Sequence, residues 1–234
     1  APAAGPSTPF GVDNTAPTIS IGPPSVSLTR TGPVTYTITY GGANTVTLAA
    51  GNVTLNKTGT ANGTVAVSGT GTTTRTVTIS SITGDGTLRI SIAAGTASDN
   101  AGNLAPAAGP STPFGVDNTA PTVTINQASG QADPTSTSPI NFTVVFSESV
   151  TGFATGDVTL SGTAGATTAV VTGSGTTYNV AVSGMTRSGT VIATVGAGVA
   201  IDAAGNGNVA STSTDNTVTY NYTGPGVLQM TTAS

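Results

Sequence analysis

The stretch PVTYTITY at residues 33–40 sets the fold class, because β-branched and aromatic residues alternate with their neighbours along it with a period of two. Four further stretches have the same character: TRTVTISS (74–81), GTLRISIAA (86–94), PINFTVVF (139–146) and TYNVAVSG (177–184). Clusters of Gly, Asn, Asp and Pro separate them, and no window has the apolar spacing of an amphipathic helix. The sequence therefore predicts an all-β protein of many short strands, as in a sandwich or barrel.

An internal repeat divides the chain into two domains. With a shift of about 104 residues, TAPTISI matches TAPTVTI, PVTYTITY matches PINFTVVF, GNVTL matches GDVTL, and ASDNAGN matches AIDAAGN. Each copy supplies about seven strands in about a hundred residues, which is the size of an immunoglobulin-like sandwich. We predict two tandem immunoglobulin-like sandwiches, at residues 14–117 and 118–223, joined by the short Pro-containing linker VDNTAPT.

The first eighteen residues, APAAGPSTPFGVDNTAPT, return unchanged at residues 105–122. Because residues 105–116 are predicted to form the last strand of the first sandwich, residues 1–13 read as a last strand without a sandwich. Two explanations stay open at this point. The chain is a slice of a longer array, or the segment completes a sheet of a neighbouring subunit. In the second case Ser7, Thr8, Phe10 and Val12 take part in strand exchange. Residues 224–234 are predicted to be a tail.

The composition excludes several classes of function. Charged residues make up 6% of the chain, against roughly 25% in ordinary soluble domains. Five scattered cationic residues form no basic stripe, so nucleic-acid binding is not expected. No apolar run is long enough for membrane insertion. A formal net charge of −4 gives little repulsion between molecules, which suits end-to-end self-association of identical or neighbouring repeats in a surface structure.

Catalysis is not expected either. The chain has no His and no Cys, so a nucleophilic site would need a serine with Lys57, the single lysine, and no G-x-S-x-G motif is present. A glycosidase would need a carboxylate pair in a cleft with aromatic walls, whereas the chain has no Trp. We expect no enzyme and no required cofactor.

Calcium is the one ligand for which the acidic residues form a pattern. In a seven-stranded sandwich, the incoming linker, the loop after the second strand and the loop before the last strand meet at one end. For the second domain these segments carry Asp117, Glu148 and Asp202, with Asp157 and Asn206 near them. Calcium takes six to eight oxygen ligands in irregular geometry. The competing interpretation is that these side chains cap turns. In the first domain Gly42 replaces Glu148 and Asn52 replaces Asp157, so a weaker site is expected.

The motifs VDNTAPTVTI (116–125), FSESVTGFATGDVTL (146–160) and DAAGN (202–206) resemble those of bacterial immunoglobulin-like repeats of large extracellular adhesins and surface proteins. The resemblance implies an extracellular tandem array at the cell surface that spaces or presents something else, and some such arrays bind calcium at domain junctions. We therefore expect a structural repeat of a stalk or filament. The alternatives are an adhesive module that binds glycan or a host surface through loops at one sandwich end, and an accessory pair from a secreted hydrolase.

Overall fold

A computed structural model describes residues 5–224 of the chain and divides it into two compact units, with the boundary between Asn118 and Thr119. The boundary lies one residue beyond the one predicted from the sequence. Asn118 stays with the first unit because its backbone N–H donates to Asp85 Oδ1 at 2.6 Å and its side-chain Nδ2 to the Gly84 carbonyl at 2.7 Å. Within the described range, no helix reaches the length and apolarity needed to cross a membrane.

Among its described residues, 5–118, the first unit has ten strands and one short 3-10 turn at Ala50–Asn52. The strands are β1 (Thr18–Ile21), β2 (Leu28–Thr29), β3 (Val34–Gly41), β4 (Thr45–Val46), β5 (Val53–Lys57), β6 (Asn62–Ser68), β7 (Thr74–Thr83), β8 (Gly86–Ile92), β9 (Ala97–Ser98) and β10 (Phe114–Val116).

The strand order of the first unit is that of an immunoglobulin-type sandwich. One four-stranded sheet has the order β1-β3-β7-β6 and the other β2-β10-β8-β5, while β4 pairs with β9. With β1, β3, β5, β6, β7, β8 and β10 taken as strands A to G, these sheets are ABED and CFG, with β2 added beside the last strand. The alternation in β3 places Val34, Tyr36, Ile38 and Tyr40 in the core between the sheets, at most 3% exposed.

The second unit repeats this arrangement with six strands in the part that the structure describes, residues 119–224. They are β11 (Val123–Gln127), β12 (Ile140–Val150), β13 (Val158–Ser161), β14 (Thr168–Ser183), β15 (Gly189–Val195) and β16 (Thr217–Tyr220). One sheet has the order β11-β12-β14 and the other β13-β15-β16. The core of this unit holds Ile140, Phe142 and Val144, each fully buried. The all-β fold and the sandwich architecture predicted from the sequence are confirmed.

The strand β14 contains two sandwich strands joined by a tight turn. Gly173 and Gly175 have φ of 120° and 71°, values that side chains rarely adopt. A Cβ on Gly173 would lie 2.6 Å from the Thr177 carbonyl oxygen, so the chain folds back on itself there. The two arms remain together as far as Thr167, whose backbone N–H donates to the Ser183 carbonyl. They correspond to β6 and β7 of the first unit.

The last segment of the first unit is less regular than predicted. We expected a strand over 105–116, but only Phe114–Val116 is regular strand. Pro106, Pro110 and Pro113 lack the N–H that a ladder requires, which explains the interruption. The segment nevertheless follows β8, because Ala108 pairs with Ile92 in an isolated bridge.

Candidate functional site

The two copies of the eighteen-residue stretch have opposite environments. Phe114 and Val116 of the second copy are 1% and 3% exposed, whereas Phe10 and Val12 of the first copy are 87% and 71% exposed. Ser7 and Thr8 are exposed as well. The predicted strand-exchange residues thus form an extended segment that contributes nothing to the core of the unit that follows it. Residues 1–4 and 225–234, which include most of the predicted tail, lie outside the described residues.

Two of the predicted metal ligands form an acidic group within the second unit. Glu148 and Asp202 each offer a carboxylate oxygen, and these two atoms lie within 4.8 Å of one another. Asp117, the third of the predicted carboxylates, belongs to the first unit. Glu148 lies in the part of β12 where the register against β14 shifts, between Val145 and Val150. Such a bulge redirects side chains away from the regular alternation. The group therefore depends on a local irregularity that the sequence does not announce.

Asp202 is held in place by its own loop. Its Oδ1 accepts the backbone N–H groups of Ala204 and Asn206 at 2.8 and 2.9 Å, and its Oδ2 accepts Asn206 Nδ2 at 2.8 Å. Burial raises the pKa of Asp202, but the hydrogen bonds from Asn206 and the adjoining backbone outweigh it, so the pKa lies below its ordinary value. Asp202 is ionised at neutral pH, although the side chain is only 5% exposed.

The other two predicted ligands have visible structural roles. Asp157 is not a member of the acidic group found among the described residues. Its Oδ2 accepts the Ala154 N–H at 2.7 Å, and in the first unit Asn52 Oδ1 accepts the Ala49 N–H in the same way at 2.9 Å. An amide oxygen accepts this hydrogen bond as well as a carboxylate oxygen does. The position therefore requires only an acceptor that caps the turn, and not a charge. The Nδ2 of Asn206 orients the Asp202 carboxylate.

The chemistry of the acidic group fits calcium. Ca²⁺–oxygen distances are about 2.3–2.6 Å, so two oxygens bound to one ion are at most about 5 Å apart. The separation of at most 4.8 Å between the Glu148 and Asp202 carboxylates satisfies that limit. Like charges this close oppose one another unless a cation lies between them. Glu148 and Asp202, both from the second unit, would be its principal ligands.

The first unit has the same loop without the glutamate. Asn103 donates to both carboxylate oxygens of Asp99, at 2.9 and 2.8 Å, and its Nδ2 also donates to the Asp13 carbonyl at 2.9 Å. The hydrogen bonds from Asn103 hold the pKa of Asp99 below its usual value. Where Glu148 stands in the second unit, Gly42 leaves an open groove of about 410 Å³, lined also by Asp13, Asp99 and Asn44. Asn44 lies on the short connection between β3 and β4, and no motif in the sequence marked it as a lining residue.

A second groove in the described part of the chain has no ionisable lining residue. It encloses about 430 Å³ and is lined by the threonine, alanine, glycine and aliphatic residues Thr155, Gly156, Val158, Leu160, Ala166, Thr167, Thr168 and Ala169. Lys57, the one lysine, donates from Nζ to Asn62 Oδ1 at 2.6 Å on an exposed surface. This hydrogen bond pairs the Lys57 amine with an amide oxygen, so it does not supply a base that would activate a serine as a nucleophile.

These features define a class of protein, the immunoglobulin-like sandwich domains. The distinctive groups of this chain are the acidic group of the second unit and the exposed segment that precedes the first unit. Residues 117–221 match the family model described as bacterial Ig-like domain, which confirms the resemblance noted in the sequence. No curated protein matches the chain. Among solved structures, the Escherichia coli adhesin FdeC is similar with a TM-score of 0.41 and 16% identity. That match covers 84% of this chain and only 64% of the FdeC chain.

Proposed function

We propose that the chain is an extracellular structural repeat that spaces a bacterial surface structure, such as a stalk or filament. The observation that supports it most is the architecture itself: two consecutive sandwiches with the same strand order, each with its own last strand in place. A repeat whose only role is to lengthen a surface structure needs stable sandwiches and a surface without strong charge. The net charge of −4 in 234 residues meets the second requirement.

Removing one repeat from the parent gene tests the proposal. Deletion of residues 14–117 joins Asp13 to Asn118 and regenerates the sequence VDNTAPT, because the two copies are identical there. We expect the surface structure to shorten by one constant increment per repeat removed, while attachment to glycans or host surfaces persists. Electron microscopy of the cell surface measures the first quantity, and a glycan array measures the second. Loss of attachment without shortening would favour the adhesive alternative, in which sandwich-end loops bind the target.

We also propose that the acidic group of the second domain binds calcium and so tightens its loops. Isothermal titration of the full chain should give a saturable heat with Ca²⁺. Glu148→Gln should weaken binding at least about tenfold, because affinity follows the number of charged ligands. Asp157→Asn is the matched control and should leave the affinity unchanged, since Asp157 lies outside the group. No heat from the unmodified chain would end this proposal and leave the spacing function untouched.

A further inference from the structure

We propose that Asn62 is a site of self-modification, at which the chain's own backbone converts the side-chain amide to a carboxylate. The position combines an Asn-Gly pair, Asn62 with Gly63, and the single lysine of the chain, Lys57. A glycine after an asparagine leaves the backbone nitrogen between them open to approach, because glycine has no Cβ. The reaction needs no partner except water and is independent of the proposed spacing function.

Two donors meet at the side-chain oxygen of Asn62. The Gly63 backbone N–H donates to Asn62 Oδ1 at 2.9 Å, and Lys57 Nζ donates to the same oxygen at 2.6 Å. Because an ammonium and a backbone N–H only donate, the amide must present its oxygen to them. The carbonyl carbon lies one bond, about 1.2 Å, from that oxygen. The Gly63 nitrogen, which is the nucleophile, thus lies beside the carbon that it attacks.

The fold leaves this pair in an irregular and accessible place. Asn62 is the first residue of β6, and the register of β6 against β7 shifts between Asn62 and Thr64, so Gly63 lies in a bulge. The side chains of Asn62 and Lys57 are exposed, so water reaches the amide. A Cβ at position 63 would lie 2.8 Å from Cγ2 of the fully buried Ile79. Core packing therefore requires the glycine that makes Asn62 reactive.

The reaction proceeds in two balanced steps. Hydroxide removes the Gly63 N–H proton, the nitrogen bonds to the Asn62 side-chain carbonyl carbon, and the bond from this carbon to Nδ2 breaks. Nδ2 takes a proton from water and leaves as ammonia, so that Asn62 and Gly63 remain joined in a succinimide ring. Water then adds to either ring carbonyl and opens the ring, which yields aspartate or isoaspartate at position 62. Neither step involves oxidation or reduction.

Lys57 accelerates the first step by stabilising the charge that develops on Asn62 Oδ1. When the nitrogen attacks, this oxygen becomes an oxyanion, and the ammonium already donates to it at 2.6 Å. A donor aimed at a developing oxyanion lowers the barrier. The product carboxylate remains beside Lys57, so the reaction creates an ion pair between β5 and β6, which belong to different sheets. It also adds one negative charge to the formal net charge of −4.

The chain contains the same dipeptide in the opposite electrostatic environment. Asn206 and Gly207 form the second Asn-Gly pair, in the loop that begins with Asp202. Asn206 is 5% exposed, and its Nδ2 donates to Asp202 Oδ2 at 2.8 Å. The carboxylate opposes an oxyanion on the neighbouring amide, and the hydrogen bond holds the nitrogen that would have to leave. Asn206 is therefore the internal control.

Peptide mapping by mass spectrometry of the full chain, held at mildly alkaline pH, measures the conversion of both positions with time. In the folded chain, Asn62 should convert at least about tenfold faster than Asn206. Unfolding in guanidinium chloride removes the contacts of both pairs, so the two rates should converge. Lys57→Met should slow the conversion of Asn62 about tenfold, which is less than the effect of one donor in an enclosed oxyanion hole because this site is open to water.

Lys57→Arg is the matched variant, because it keeps the positive charge and the donors and should retain most of the rate. Circular dichroism of both variants checks that the first unit stays folded. The proposal is overturned if Asn62 in the folded chain converts no faster than Asn206. It is also overturned if Lys57→Met converts at the rate of the unmodified chain, since Asn62 would then react through its sequence alone. The spacing function would survive either result, because repeat excision tests it separately.

Discussion

Replacing Phe114 with alanine is expected to lower the free energy of unfolding of the first unit by about 3–5 kcal/mol. The side chain is 1% exposed, lies against Tyr36 and joins the two sheets at the closing strand. Its removal leaves a cavity that the tightly packed strands on either side have little freedom to fill. Urea unfolding followed by circular dichroism measures the change, and the transition of the second unit should stay in place.

Phe10→Ala is the control, because the residue and its nine neighbours on the N-terminal side are identical in the two copies. The Phe10 side chain is 87% exposed, so its removal should change the free energy of unfolding by no more than about 0.5 kcal/mol. Equal losses from the two variants would show that the first copy packs against a core in the isolated chain.

The five alternating stretches were predicted correctly as strands. PVTYTITY, PINFTVVF and GTLRISIAA became β3, β12 and β8, each with one face buried. Side chains of a strand point alternately to opposite faces, so a period of two with β-branched residues leaves little choice of structure. The internal repeat predicts two domains, because each copy has to complete the same sandwich.

Features that depend on contacts distant in sequence were not predictable. The prolines of residues 105–113 interrupt regular pairing, yet the segment keeps its course along β8 through single contacts such as Ala108 with Ile92. Alternation alone also gave no sign that β12 shifts register near Glu148, where the side chain joins the acidic group. A bulge is set by how two strands fit the rest of the sheet. The calcium assignment stays a prediction.

The acidic residues show why a motif alone does not assign a role. Asp157 and Asp202 both read as oxygen ligands in the sequence, and both accept backbone N–H groups in the structure. Only Asp202 combines that role with membership of the acidic group. Its carboxylate has more lone pairs than the loop consumes, so capping and metal binding are compatible in the same side chain. Separating the two contributions requires a measurement without metal.

Asp202→Ala, measured in the presence of a chelator, is expected to lower the free energy of unfolding of the second unit by about 3 kcal/mol. The substitution removes the acceptor for the N–H groups of Ala204 and Asn206 and for the Asn206 side chain. Asn206 is 5% exposed, so water has little access to the donors left behind. Each buried group without a partner costs about 1–3 kcal/mol. Chemical unfolding, with the first unit as the internal reference, measures the loss.

The equivalent substitution Asp99→Ala in the first unit is the matched comparison. Asp99 accepts from Asn103 with the same geometry, but this loop is open to solvent, so water replaces the lost acceptor and the effect should be smaller. If Asp202→Ala is nearly neutral in chelator while calcium stabilises only the unmodified chain, the loop geometry serves metal binding alone. A large loss in chelator shows instead that the Asp-x-x-x-Asn loop stabilises the domain without any metal.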